Sequence, residues 1–179
     1  MITLIVGGAS SGKSAVAEDI CMALPGKKAY VATMTPFGEQ AEKRVLRHLK
    51  LREGKGMATI ERYTDIAGVA GIASLYDVLL IECMTNLVAN EQFRSDRELA
   101  CDIAAKIYAE ILKLTAVCES VIIVTCDLFC DGITYTPETG EYMRQLGRLN
   151  QMLAAKADRV VEVFYGIRSE LKGGYDETA

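Results

Sequence analysis

Apolar residues along the chain gather into short unbroken runs. Between the runs, apolar and polar positions recur every three or four residues. ITLIV (2–6), KAYVA (28–32), DVLLIE (77–82), SVIIVT (120–125) and RVVEVFYG (159–166) are β-branched and nearly continuous, which suits strands buried on both faces of a sheet. Helical spacing fills the gaps at 13–24, 38–52, 97–117 and 140–156. ATIER (58–62) is a further strand candidate, and TDIAGVAGIASL (64–75) has helical spacing weakened by two glycines. Strand and helix alternating in this way predict an α/β domain with a mostly parallel central sheet.

The length, 179 residues, fits one domain with a sizeable core. The expectation is a single domain over 1–172 and a loose tail over 173–179. Half the residues are hydrophobic and a quarter charged, as in an ordinary globular protein. A net charge of −4 supplies no overall basic field, so nucleic acid is not an expected partner. The opening MITLIV lacks the basic and long apolar regions of a secretory signal. No apolar run approaches the roughly 18–20 residues that span a bilayer. The expected location is therefore the cytoplasm. The six cysteines are dispersed and read as small buried hydrophobes. Only CDLFC (126–130) holds a close pair, and no second pair or histidine stands nearby to complete a zinc site.

Candidate chemistry begins directly after the first strand. Gly7, Gly8, Ala9, Ser10, Ser11, Gly12, Lys13 and Ser14 fit G-x-x-x-x-G-K-[ST] between a buried strand and a helix. Glycines let the backbone curl until successive N–H groups face phosphate oxygens, and the helix N-terminus adds positive potential. Lys13 is placed to reach the β- and γ-phosphates, and the Ser14 hydroxyl to ligate Mg²⁺. The fold class is then a three-layer P-loop NTPase type. A carboxylate at the end of a later strand usually completes the magnesium shell. Glu82 ends DVLLIE on the phosphate-loop side, whereas Asp77 begins the strand at the other edge. Asp127 follows SVIIVTC at the same edge as Glu82, either as a second magnesium or substrate carboxylate or as a loop residue. These features leave a kinase, an NTPase and a nucleotide switch equally open.

The only histidine, His48, lies in EQAEKRVLRHLKLREGKG. Val45, Leu46 and Leu49 form a helical stripe there, and Lys43, Arg44, Arg47, Lys50 and Arg52 crowd the remaining faces. By pattern alone this is a solvated helix face. A neutral imidazole can also attack phosphorus and carry a nucleotidyl group, with flanking cations stabilising the departing pyrophosphate.

The phosphate loop, the RHLK helix, LLIECMTNLVAN and GRLNQMLAAKADRVVEVFYGI occur in that order. Together they resemble the bifunctional adenosylcobinamide kinase / adenosylcobinamide-phosphate guanylyltransferase family of cobalamin biosynthesis, over about residues 2–170. The resemblance implies phosphorylation of the aminopropanol hydroxyl of adenosylcobinamide by ATP or GTP with Mg²⁺. It also implies transfer of GMP from GTP, through a guanylyl-histidine, to give adenosylcobinamide-GDP. It places His48 at the guanylylated position, Lys13 and Ser14 at the phosphate and metal positions, and Glu82 as the strand-end carboxylate and second metal residue. Arg47, Arg52, Glu61 and Asp127 complete the nucleotide-contacting set, and the family's assembly implies a homo-oligomer, a trimer. The chain departs from the family pattern at Arg47, where a first histidine is common. It departs again in 126–127, where Cys-Asp replaces Asn-Glu, and at Gln145, where an aspartate is usual. Two other readings accommodate the loop: a kinase for another small alcohol or nucleoside, and a nucleotide-binding regulator without turnover.

Overall fold

The computed structural model describes residues 1–36, 54–95, 102–128 and 135–173. The helix expected over 38–52 and the first residues of the one expected over 97–117 lie outside them.

Among the described residues seven strands form one sheet: β1 (Ile2–Val6), β2 (Lys28–Ala32), β3 (Ala58–Glu61), β4 (Val78–Glu82), β5 (Ser120–Val124), β6 (Arg159–Phe164) and β7 (Ile167–Lys172). Their order is β3-β2-β4-β5-β1-β6-β7. All neighbouring pairs are parallel except β6 with β7. The fold class is the expected α/β layering around a mostly parallel sheet. Because strand side chains alternate between faces, Ile2 and Leu4 enter one core and Ile5 the other. The first core is covered by α3 (Met84–Phe93), α4 (Ile103–Thr115) and α5 (Pro137–Lys156). The second is covered by α1 (Lys13–Ala23), through Val16, Ala17, Ile20 and Cys21.

Several elements differ from the sequence expectation, each for a local reason. The last strand, expected to reach 166, stops at Phe164. Tyr165 (φ 49°) and Gly166 (φ 78°) turn the chain back into β7, as a two-residue hairpin of the primed type does. β7 was not expected at all, because every residue of IRSELK is exposed and it buries no apolar face. Residues 64–75 form a 3₁₀ turn (Ile66–Val69) and a single helical turn, α2 (Ala70–Ala73), as the two glycines would suggest. Helix α3 was also unforeseen: Glu91 and Gln92 are buried on it and blur its apolar stripe. Helix α5 begins three residues before the expected 140, with Pro137 at its first position and Thr136 accepting from the Thr139 N–H (3.4 Å).

Buried Glu91 has two cationic partners, one on α4 and one just past the end of α3. Its carboxylate binds Lys106 of α4 (2.5 Å) and Arg94 (3.3 Å), and it accepts from the Asp65 backbone N–H (2.6 Å). Burial alone would weaken the Lys106 charge, but hydrogen bonds to Asp65 and Glu91 outweigh it, and its ammonium is pushed up to about 12. The cluster fixes α3 and α4 relative to each other below the site edge of the sheet. No helix among the described residues is long and apolar enough to cross a membrane.

Candidate functional site

The site is assembled at the C-terminal edge of the parallel strands, where open α/β sheets bind ligands. β1 runs into the loop 7–12, and α1 starts at Lys13. Gly12 caps this helix with φ 94°, a left-handed conformation that side chains rarely adopt. A Cβ at Gly7 would stand 2.5 Å from the Val163 carbonyl oxygen, so no larger residue fits between β1 and β6 there. Two further contacts hold the loop from outside. Gly166 donates its N–H to the Ser11 carbonyl (2.8 Å), and the Asp127 N–H reaches the Gly7 carbonyl (3.4 Å).

Within the loop, the Lys13 ammonium donates to the Gly8 carbonyl (2.9 Å), which keeps its charge over the curled backbone. Lys13 and Ser11 are both buried, and the Ser11 hydroxyl has no hydrogen-bond partner among the described residues. A cation and an unpartnered buried hydroxyl inside a ring of backbone amides suit an anion.

The carboxylate expected opposite the loop is in contact with it. Ser14 Oγ donates to Glu82 Oε1, and Tyr30 Oη donates to Glu82 Oε2 (3.2 Å). The contact follows from topology: β5 alone separates β4 from β1, so the end of β4 faces the first turn of α1. Two hard oxygens, one from a helix start and one from a strand end, match the sparse protein shell of a magnesium ion whose other ligands are phosphate and water. The fit is therefore good for Mg²⁺ at Ser14 and Glu82. Among the described residues no trio of His, Cys, Asp or Glu forms a separate metal cluster.

Asp127 is exposed at the end of β5, and its backbone touches the loop. Glu61 ends β3 at the same edge but four strand spacings from β1, about 19 Å. Its described contact is the Tyr63 hydroxyl (2.7 Å). Arg47, His48 and Arg52 lie outside the described residues. Burial raises the thiols of Cys21 (to about 11) and Cys118, which suits inert apolar packing.

Three polar residues that shape this edge carried no signal specific enough to single them out. Tyr30 presents the one hydroxyl of the KAYVA run to Glu82. Asn90 donates to the Thr33 carbonyl (2.8 Å) and the Tyr63 carbonyl (2.9 Å), joining the ends of β2 and β3. Asn150 accepts from Thr125 Oγ1 (2.7 Å) and donates to the Cys126 carbonyl (3.3 Å), which fixes the turn after β5. A cavity of about 340 Å³, lined by Met22, Lys27, Lys28, Lys55, Ala58 and Tyr76, lies away from the loop, where β2 and β3 begin.

A family model described as cobinamide kinase / cobinamide phosphate guanyltransferase matches residues 3–171. The bifunctional adenosylcobalamin biosynthesis protein CobU of Salmonella typhimurium is 34% identical over 187 residues, covering 96% of this chain and 100% of that protein. The protein of the same name in Escherichia coli is 31% identical over 191 residues, with the same coverage of both. Among solved structures, the P4 protein from bacteriophage phi6 in complex with ADP is similar at a TM-score of 0.48 and 14% identity. That likeness covers 94% of this chain and 52% of the phage protein.

Proposed function

The chain belongs to the cobinamide kinase / cobinamide phosphate guanyltransferase family, and from that premise we propose that it carries out both reactions at the loop edge of the sheet. In the first, adenosylcobinamide is phosphorylated on its aminopropanol hydroxyl by ATP or GTP. Lys13 neutralises the β- and γ-phosphates, and the loop amides of residues 7–12 orient them. Ser14 and Glu82 hold Mg²⁺, which when bound spreads the charge of the transferring phosphoryl group. Glu82 is kept in place by Tyr30, so it needs little reorganisation as the triphosphate enters.

In the second reaction, an imidazole nitrogen of His48 attacks the α-phosphorus of GTP. A P–N bond forms and the bond to pyrophosphate breaks. The phosphate oxygen of adenosylcobinamide phosphate then attacks the same phosphorus, the P–N bond breaks, and the imidazole is released as adenosylcobinamide-GDP forms. Arg47, Arg52, Glu61 and Asp127 contact the nucleotide in this reading. The protein acts as a cytoplasmic homotrimer.

The observation that carries the proposal is the meeting of Ser14 with Glu82 at the mouth of the loop, in a chain whose family match runs from 3 to 171. The test is labelling with α-³²P-GTP and Mg²⁺ followed by alkaline trapping. An acid-labile label on the wild type, lost in His48→Ala with GTP binding retained, is expected. Folded, GTP-competent wild type without label rules out the guanylyl-histidine. Lys13→Ala should lose phosphorylation of adenosylcobinamide, and retained activity removes the loop from the kinase step.

A further inference from the structure

The hairpin between β6 and β7 ends in two exposed aromatic side chains beside the phosphate loop. Phe164 is 64% exposed and Tyr165 83% exposed, with ring centroids 4.3 Å apart. The next residue, Gly166, donates to the Ser11 carbonyl (2.8 Å), and its Cα lies 3.3 Å from where a Gly12 Cβ would stand. The aromatic tip is thus tied by backbone to the loop that holds phosphate.

Local physics does not explain a tyrosine here. Tyr165 has φ 49° at the first central position of the turn, where Asn, Asp or Gly is the cheap choice. Its ring is also left in water rather than in the core. A residue that breaks local turn preference and exposes a large ring next to a ligand loop points to a role in binding.

We propose that Tyr165, backed by Phe164, is a stacking platform for the purine base of the triphosphate held at residues 7–14. Every purine presents a π-face, so stacking accepts ATP and GTP alike. The two rings are tilted at 58°, and the Tyr165 ring, 83% exposed, keeps most of its surface open to a base. The inference rests on the phosphate-loop reading but not on His48, since it holds for any triphosphate bound there.

The test uses Tyr165→Asn, which removes the ring and improves the turn chemistry, so poor folding does not confound it. GTP affinity should fall roughly tenfold, while affinity for inorganic tripolyphosphate stays at the wild-type value. Tyr165→Phe should keep GTP affinity. The chain contains no tryptophan, so Tyr165→Trp adds a single reporter, whose emission should change with GTP and not with tripolyphosphate. Unchanged GTP affinity in Tyr165→Asn overturns the platform. So does a reporter that responds only to adenosylcobinamide or only to protein dilution, which assigns the tip to the acceptor or to a second copy of the chain. If the wild type binds neither GTP nor tripolyphosphate, the loop reading fails and the platform with it.

Discussion

Removing Lys55 should destabilise the protein by about 2–3 kcal/mol at neutral pH. Its ammonium pairs with Glu18, which lies on the helix that follows the phosphate loop. The Glu18 side chain is 2% exposed and that of Lys55 34%. The other Glu18 oxygen has no hydrogen-bond partner among the described residues. Lys55→Met therefore leaves a buried carboxylate uncompensated, a change that costs about 3–5 kcal/mol in fully buried pairs. A third of Lys55 is already in water, so screening trims the loss to the lower figure. For a chain of this size that is a fall in Tm of roughly 5–10 °C. Replacing both partners, as Glu18→Leu with Lys55→Met, should recover most of the stability, because an apolar pair needs no compensation. Urea unfolding of wild type, single and double variants at pH 7 measures this. A Lys55→Met protein as stable as wild type at pH 7, or a double variant weaker than the single, refutes the reasoning.

The other predictions concern the loop, the Ser14–Glu82 contact and a helix cap. Gly7→Ala should cost about 1–3 kcal/mol and weaken tripolyphosphate binding, because its methyl meets the Val163 carbonyl at 2.5 Å; thermal melts and calorimetric titration check both. Glu82→Gln should keep GTP binding without Mg²⁺ and lose the enhancement that Mg²⁺ confers, seen by titrating GTP in magnesium and in chelator. Asp102→Ala should cost about 1 kcal/mol by uncapping α4, where Asp102 accepts from the Ala105 N–H (3.1 Å). That N–H and Arg148 hold the Asp102 carboxyl below its ordinary value. The wild-type advantage should therefore be present above about pH 4 and fade as pH falls through the lowered value, as urea unfolding at pH 7 and pH 3 will show.

Strands buried on both faces were legible because burial on two sides demands unbroken apolar runs, and β1, β2, β4 and β5 lie within a residue of their runs. The same logic hid β7, an edge strand whose six exposed residues carry no burial signal. It also hid α3, where Glu91 is buried because Lys106 and Arg94 neutralise it, a pairing that no local pattern reveals. At the site, Lys13, Ser14 and Glu82 were readable because motif and strand end fix their positions along the chain. Tyr30, Asn90 and Asn150 were not, since each acts across strands that only the sheet order makes neighbours. Glu61 stands at the right edge, but strand order sets its distance from β1, and one sequence does not disclose strand order.

The place of β1 also bears on the order in which the protein matures. β1 is flanked by β5 and β6, whose residues leave the ribosome more than a hundred positions after it. The loop that follows it leans on Val163 and Gly166, about 150 residues further along. A nascent chain halted before residue 159 lacks these neighbours and should not retain a triphosphate. Binding is in that sense acquired only when the β6–β7 hairpin closes against the phosphate loop.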